Sequence, residues 1–239
     1  MNAKNENGYI VSVSENALIS LVASSLEAYA IDNMGTKTRT HKKLLETFGG
    51  LYGQHMTLGD NRTLFRIEMA LSDSTVWQQR HQVHYNQDAI RLKHTLLSSY
   101  WPHLEYLGDF HSHPYTTQDE VTSEKGYYLS EGDHQSLQRD WAFLKRVRYR
   151  LGLVVTVAAM KRASNKGFAW LSGGWNTIEF TMGNFRMYIS ANCVYETDEN
   201  VFYTDNADPM VEIHVPSLMG FSGEHMPFGR FKENTFITS

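Results

Sequence analysis

The N-terminal half of the chain alternates between strand-like and helix-like patterns of apolar residues. Residues 9–13 form a short run that is rich in β-branched side chains, which predicts a strand. The apolar residues that follow Ser14 recur at three- and four-residue spacing, which predicts a helix. A Gly-rich run at 48–53 and an alternating run at 63–71 predict two further strands. Helical spacing returns at 86–99, so strands and helices alternate throughout this half.

The second half continues the alternation around one polar segment. Strands are predicted at 104–111, 151–160, 175–195 and 201–215. Residues 115–128 are rich in Thr, Gln, Asp, Glu and Ser and predict a loop or lid, whereas 130–146 has helical spacing. The whole pattern predicts an α+β (α/β-like) fold, in which helices flank a central mixed β-sheet.

Composition favours a folded protein and argues against nucleic acid as its partner. The 239 residues are 41% hydrophobic, and 22 Lys and Arg against 26 Asp and Glu give a net charge of −4. A sizeable core is therefore expected, while nucleic acid, whose binding needs several cationic side chains, is not an expected partner. Cys193 is the sole cysteine, which excludes an internal disulfide and a Cys-rich zinc site.

The sequence carries no convincing signal for export or membrane insertion. Residues 17–30, the longest apolar stretch near the N terminus, are interrupted by polar side chains, and acidic Glu6 and Glu15 lie where a secretory signal carries positive charge. No stretch reaches the ~18 uninterrupted apolar residues of a membrane span. We therefore expect a cytoplasmic protein with no membrane partner.

A pair of histidines stands near the end of the strand predicted at 104–111. His111 and His113 are two residues apart, so in a strand their side chains point to the same side, roughly 6.6 Å apart along the chain. Two imidazoles at this separation can bind one metal ion, although His-x-His pairs also occur on exposed strand faces. Pro114 is expected to end strand pairing directly after the pair and so to leave the pair beside a cleft.

Two acidic segments supply candidate partners for the histidines. Ser130 and Asp133 have the spacing of a helix N terminus, and the aspartate of such a first turn can also present an oxygen to a metal. Glu46 precedes the Gly-rich run at 48–53, and an acidic residue in such a place, taken alone, is expected at the surface. The glycines permit close approach of another strand or of an extended ligand.

Taken in order, the three segments form a composite motif that is more specific than any one of them. The motif is Glu46-x-x-Gly49-x-Leu51-x-Gly53, then His111-Ser112-His113-Pro114, then Ser130-x-x-Asp133. It resembles the JAMM (MPN+) zinc metallopeptidase family, and the resemblance covers roughly residues 9–160. The chain is most similar to prokaryotic members that act on ubiquitin-like proteins.

The resemblance implies a fold, a reaction and a role for each motif residue. It implies the cytidine-deaminase-like MPN/JAMM fold and a hydrolase that cleaves the (iso)peptide bond after the C terminus of a ubiquitin-like protein. One catalytic Zn²⁺ would be bound by His111, His113 and Asp133. Glu46 would act as the general acid/base, and Ser130 would help to stabilise the transition state.

One departure from the family pattern leaves two candidates for the third ligand. Sixteen residues separate His113 from Ser130, more than is usual in the family, and at the usual spacing the carboxylate would be Glu124. We prefer Asp133, because its Ser-x-x-Asp pair is intact and a helical pattern follows it. The additional residues then form an insertion beside the metal, as an ordered or substrate-ordered lid.

The resemblance also divides the chain and leaves rival functions. Residues 1–191 are expected to form the MPN/JAMM domain, and 192–239 a β-rich C-terminal extension that completes the sheet, binds the substrate's globular body or forms a homodimer. The strand at 48–53 is expected to take the extended tail of the ubiquitin-like partner as an added strand. The alternatives are a non-catalytic MPN scaffold and a peptidase that processes a sulfur-carrier or ubiquitin-like precursor.

Overall fold

A computed structural model describes most of the chain as a mixed α+β structure. The described residues are 8–33, 43–139, 149–164, 166–171, 173–196, 201–204, 210–219, 230–232 and 235–237. Their helices are α1 (Glu15–Ala30), α2 (Gln87–Tyr100), α3 (Gln118–Glu124), α4 (Glu131–Arg139) and α5 (Pro216–Met219). None of these helices is both long enough and apolar enough to cross a membrane.

The strands form one large sheet and two short hairpins. They are β1 (Tyr9–Val13), β2 (Phe48–Thr57), β3 (Thr63–Ser72), β4 (Trp77–Gln78), β5 (Val83–His84), β6 (Glu105–Tyr115), β7 (Tyr149–Ala159), β8 (Ala169–Trp170), β9 (Thr177–Met182), β10 (Phe185–Glu196), β11 (Val201–Tyr203), β12 (Val211–His214), β13 (Arg230–Lys232) and β14 (Thr235–Ile237). The large sheet has the order β12-β1-β3-β2-β6-β7-β10-β9-β8, and β11 also pairs with β10. The hairpins are β4–β5 and β13–β14.

Parallel and antiparallel pairs both occur in the large sheet. β1 is parallel to β12 and to β3, and β6 is parallel to β7. β2 is antiparallel to β3 and β6, and β10 is antiparallel to β7, β9 and β11. The sheet curls, since Ile213 of β12 donates its N–H to the carbonyl of Trp175, just before β9, at 2.8 Å. The predicted mixed sheet flanked by helices is confirmed at this level.

Helix α1 covers one face of the sheet and is tied to its centre. The Ser14 side chain caps the helix by accepting the N–H of Ala17 at 3.3 Å, and the apolar stripe of α1 is buried, as its spacing predicts. Near the other end, the Tyr29 hydroxyl donates to the carbonyl of Tyr115 at 2.8 Å and accepts the N–H of Ala159 at 3.0 Å. These bonds join α1 to the ends of β6 and β7.

The parallel pair β6–β7 separates an apolar face from a polar one. Phe110 of β6 and Val155 of β7 belong to the main core, which also contains the buried residues of α1. Because side chains alternate along a strand, His111 and His113 point to the opposite face. Candidate site residues therefore collect on the side of the sheet that α1 does not cover.

The prediction that Pro114 ends strand pairing is wrong. β6 continues through Tyr115, and Pro114 stands opposite Val157 of β7. The N–H of Ser112 donates to the Thr47 carbonyl at 3.0 Å on the other side of β6, and the nitrogen of residue 114 faces that same side, beyond the last residue of β6 that β2 pairs. The missing N–H of proline therefore costs no ladder bond.

The segment predicted as a loop or lid at 115–128 contains the short helix α3. The Thr117 hydroxyl accepts the N–H of Glu120 at 3.2 Å, and the Glu120 carboxylate accepts the N–H of Thr116 at 2.9 Å. Thr117 is therefore the N-cap of α3, and the Glu120 carboxylate reaches back to the residue before it, which together start a helix even within a polar stretch. Lys125 ends α3 in the left-handed conformation, with φ 50°.

The prediction that the strand at 48–53 accepts an added strand is also wrong. β2 lies between β3 and β6, so both of its edges are already paired. The glycines serve internal contacts instead: a Cβ at Gly49 would lie 2.5 Å from the Phe110 ring, and one at Gly50 would lie 2.9 Å from the Tyr52 ring. The Gly-rich run thus reflects close packing within the sheet.

The C-terminal part of the chain continues the same sheet. The predicted boundary after residue 191 falls inside β10, so the chain passes it without leaving the sheet. β12 then pairs with β1. The helix predicted over 130–146 is described as far as Arg139, and its remainder lies outside the described residues.

Candidate metal centre

Two imidazoles and one carboxylate face one another on the side of the sheet opposite α1. His111 and His113 come from β6, and Asp133 comes from the first turn of α4. The Nε2 atoms of the histidines are 3.0 Å apart, and the Asp133 carboxylate lies 3.2 Å from Nε2 of His111 and 3.4 Å from Nε2 of His113. Among the described residues, these three form the group of His, Cys, Asp and Glu side chains close enough to share a metal ion.

The donor atoms are close enough together to surround one metal ion. Ligand atoms bound at ~2.0–2.1 Å to a tetrahedral zinc ion are roughly 3.3–3.4 Å from one another. The two Nε2 atoms are 3.0 Å apart, and the Asp133 carboxylate reaches each of them with a different oxygen, Oδ1 at 3.2 Å from His111 and Oδ2 at 3.4 Å from His113. Two imidazole nitrogens and one carboxylate oxygen are also donors that Zn²⁺ binds well, with a fourth position left for water.

Ser130 and Asp133 form the predicted helix cap, and the cap aims the carboxylate. The N–H of Asp133 donates to Oγ of Ser130 at 3.2 Å. The hydroxyl and the N–H of Ser130 donate in turn to Oδ2 of Asp133 at 2.7 and 2.8 Å. Capping and metal binding are therefore compatible, because the bonds that cap α4 also hold the carboxylate beside the histidines.

The charges of the three groups support one another. Burial opposes ionisation of Asp133, but the two imidazoles outweigh it and hold the pKa of that carboxyl well below its usual range. Burial likewise disfavours the charged form of His111, but the nearby Asp133 carboxylate outweighs burial and raises the pKa of His111. Asp133 is thus ionised at neutral pH, as a metal ligand must be.

Of the two candidate carboxylates, Asp133 is the one that lies beside the histidines. Within the described part of the chain, Asp133 is the carboxylate that joins the histidines. Glu124, at the end of α3, instead lies near Tyr115, where burial and this carboxylate raise the pKa of the Tyr115 hydroxyl. The geometry therefore agrees with the preference for Asp133 over Glu124.

Glu46 approaches this centre from the segment before β2. Its N–H donates to the Gln79 carbonyl at 2.9 Å, and its buried side chain lines the same cavity as His111 and Asp133. Burial raises the pKa of Glu46 to about 8, with His113 lowering it and Asp133 raising it. A carboxyl with a pKa near neutrality is suited to accept a proton and return it.

Ser112, between the two histidines, joins the segment of Glu46 to β6. Its N–H donates to the Thr47 carbonyl at 3.0 Å, and its hydroxyl accepts the N–H of Thr47 at 2.9 Å. This reciprocal pair fixes Glu46, one residue earlier, relative to His111. The sequence carries no local signal for the pair, because its members are 65 residues apart.

A buried ion pair lies on the same face of the sheet. Arg150 of β7 donates from Nη2 to Oδ2 of Asp109, and both side chains line the cavity together with His111. The Arg150–Asp109 pair places two charged side chains at the same cavity as His111, and both side chains are buried. It too escapes sequence analysis, because its members are 41 residues apart on neighbouring strands.

The cavity beside the centre is of ligand-binding size. Its volume is about 660 Å³, within the range of ~300–1,000 Å³ that is common for such sites. His81 and His84, from the β4–β5 hairpin and its turn, also line it. The His84 ring stacks on Trp77 with centroids 5.1 Å apart, which stiffens this wall.

Comparison with known proteins gives only weak structural likeness. No protein-family model matches the chain, and no curated protein matches it. Among solved structures, the solution structure of protein DSY2949 from Desulfitobacterium hafniense is similar, with 15% identity and a TM-score of 0.40 over 86% of this chain and 92% of that one. A likeness of this degree carries no information on function.

Substitution of Ser112 by alanine should loosen the segment that holds Glu46. The change leaves the buried N–H of Thr47 without its acceptor, which should lower the free energy of unfolding by ~1–3 kcal/mol in a urea titration. Exposed Ser98, whose hydroxyl bonds Thr95 within α2, supplies the control, and Ser98→Ala should change stability by no more than ~0.5 kcal/mol. Equal stability of the two variants would show that the Ser112–Thr47 pair does not anchor the segment.

Proposed function

We propose that the protein is a zinc-dependent isopeptidase that cleaves the (iso)peptide bond after the C terminus of a ubiquitin-like protein. The observation that carries the proposal is the convergence of His111, His113 and Asp133, whose ligand atoms all lie within 4.8 Å of one another. These residues come from a strand and from the second helix after it, in the order that the JAMM resemblance implies. The same order supports assignment of the sheet to the cytidine-deaminase-like MPN/JAMM fold.

The three proposed ligands would hold one Zn²⁺. Zinc in such a site supplies Lewis acidity, which polarises a carbonyl group and makes water easier to ionise at neutral pH. The chain contributes a fixed arrangement of donors, since β6 aligns the two imidazoles and the cap of α4 aligns the carboxylate. One anionic ligand leaves the loaded site with net positive charge, which favours the negative charge that develops on an amide oxygen during hydrolysis.

Glu46 supplies the proton transfer in this proposal. A water that attacks an amide must lose a proton, and the departing lysine amine must gain one, so one carboxyl can accept the first and deliver it to the second. Glu46 is buried at the same cavity as the ligands, and the Thr47–Ser112 pair holds its segment against β6. Proton transfer of this kind contributes roughly 10²–10⁴-fold to the rate.

The first role of Ser130 in this proposal is to orient Asp133. Its hydroxyl donates to Oδ2 of Asp133 at 2.7 Å and so orients that ligand. To donate to a developing oxyanion, the hydroxyl has to turn away, and the Ser130 N–H at 2.8 Å then still holds Oδ2 of Asp133. An oxyanion donor of this type is worth about 2.7–4 kcal/mol in the transition state.

The tail of the substrate has to enter the cavity rather than join the edge of β2. Both edges of β2 are occupied, whereas the cavity runs from the proposed ligands to the β4–β5 hairpin. A peptide in that space would pass Glu46 and the ligands together. Cleavage of a ubiquitin-like precursor or a sulfur-carrier precursor would use the same groups, so the choice among these substrates depends on the cavity walls.

Removal of the third ligand should separate the two candidate carboxylates. We expect the purified protein to bind about one zinc per chain, and Asp133→Ala to weaken zinc binding by more than the ~10–100-fold that follows loss of an outer hydrogen-bond partner. Glu124→Ala is the matched control and should keep the affinity of the parent. Competition with a chromophoric chelator measures both, and zinc loss in the Glu124 variant alone would overturn the assignment of Asp133.

Substitution of Glu46 by glutamine should abolish turnover while zinc stays bound. The amide keeps the shape of the side chain but cannot accept a proton, so the rate should fall by roughly 10²–10⁴-fold. Gel assays of isopeptide-linked ubiquitin-like conjugates, and of precursors extended beyond their C terminus, measure the rate. Activity of the variant within a few-fold of the parent would contradict the proposed role of Glu46.

A further inference from the structure

The segment between the second histidine and the helix cap folds onto the metal centre. Helix α3 ends at Lys125, and the next residue, Gly126, donates its N–H back to the Val121 carbonyl at 2.9 Å. This turn brings the carbonyl of Gly126 under His113, 3.0 Å from Nδ1 of the imidazole. The segment thus contacts the back of a proposed ligand instead of only covering the cavity.

The Gly126 carbonyl receives a second hydrogen bond from the sheet. The Thr156 hydroxyl of β7 donates to it at 2.8 Å, and Thr156 is fully buried. Thr156 stands opposite His113 in the parallel pair of β6 with β7, so both donors reach the carbonyl from neighbouring strands. One carbonyl oxygen has two lone pairs, which allows it to accept both bonds at once.

These contacts decide which nitrogen of His113 is free. A carbonyl only accepts, so in the neutral ring the hydrogen must sit on Nδ1 and leave a lone pair on Nε2. Nε2 is the atom that faces Nε2 of His111 at 3.0 Å and the Asp133 carboxylate at 3.4 Å. The tautomer that satisfies Gly126 is therefore also the tautomer that can bind a metal at the centre.

The turn at Gly126 is anchored on both sides. Before it, buried Val121 packs against Ala158 and Tyr188 in a small apolar cluster. After it, the carbonyl of Tyr127 accepts a hydrogen bond from the Ser190 hydroxyl of β10. A side chain at position 126 has no room, because a Cβ would lie 2.2 Å from the Tyr115 ring.

We propose that Thr156 and the turn at Gly126 are positioning elements of the metal centre, which hold His113 in the Nδ1–H tautomer so that Nε2 is free to bind the ion. The proposal rests on the metal-binding role assigned above to His113. The segment of 16 residues between His113 and Ser130, which contains the insertion, is on this view an integral part of the centre. Neither Thr156 nor Gly126 touches the ion or the substrate.

Nuclear magnetic resonance tests the proposal without any substitution. Long-range ¹H–¹⁵N correlation spectra of the metal-free protein at alkaline pH, where imidazoles are neutral, report the tautomer of each histidine. We expect His113 to carry its hydrogen on Nδ1. A predominant Nε2–H tautomer of His113 would overturn the proposal, whether or not the protein proves to be an enzyme.

A pair of substitutions at residue 156 tests the role of the hydroxyl. Thr156→Val keeps the shape of the side chain but loses the donor, and it should weaken zinc binding by ~10–100-fold and lower the population of the Nδ1–H tautomer. Thr156→Ser keeps the donor and should stay within about threefold of the parent. Equal zinc affinity and an unchanged tautomer in the two variants would overturn the positioning role of Thr156.

Failure of this inference and failure of the proposed function have different signatures. If the parent binds zinc and cleaves substrate but the two variants behave alike, only the positioning role is lost. If the parent binds no zinc, the proposed function is lost together with the metal-binding part of this inference. The tautomer of His113 in the parent and in Thr156→Val then still tests whether Thr156 and the turn at Gly126 fix the ring. Thermal unfolding of each variant confirms that the comparison is made on folded protein.

Discussion

Side-chain alternation along β6 is the constraint on which the candidate site depends. It sends His111 and His113 to the face of the sheet that α1 leaves open, and it sends Ser112 to the other face, where Ser112 holds the segment of Glu46. The register of β6 with β7 fixes this choice, because a slip by one residue would exchange the two faces and turn the imidazoles into the core. The three consecutive residues from His111 to His113 thereby provide two proposed ligands and also hold the segment of Glu46.

His111, His113 and Asp133 are stabilised by pairing with one another, because each of these groups would be costly to bury alone. A buried carboxylate or imidazole without a partner is expensive, and here the cap of α4 and two imidazoles surround the Asp133 carboxylate. The buried Arg150–Asp109 pair follows the same rule on the adjoining strand. The β4–β5 hairpin and the first turns of α4 then line the cavity beside groups that the sheet has already aligned.

Local signals in the sequence predict many of the helices, strands and site motifs. The features that these signals miss depend on contacts between residues far apart in the chain. β1 and α1 follow from β-branched residues, a serine cap and an apolar stripe, and the histidine pair and the Ser-x-x-Asp cap are visible as short motifs. The Thr117 cap of α3 is also visible, but the polar composition around it favoured a loop. Local patterns can reveal neither the occupied edges of β2 nor the bond of Ser112 to Thr47, since both depend on strand order.

X-ray absorption at the zinc edge of the metal-loaded protein tests the central claim most directly. If His111, His113 and Asp133 share one ion, the spectrum should show a first shell of nitrogen and oxygen at ~2.0–2.1 Å, with outer-shell scattering from two imidazoles. That outer-shell signal should fall by half in His113→Ala. A first shell containing sulfur at ~2.3 Å, or a shell of oxygen without imidazole scattering, would contradict the account.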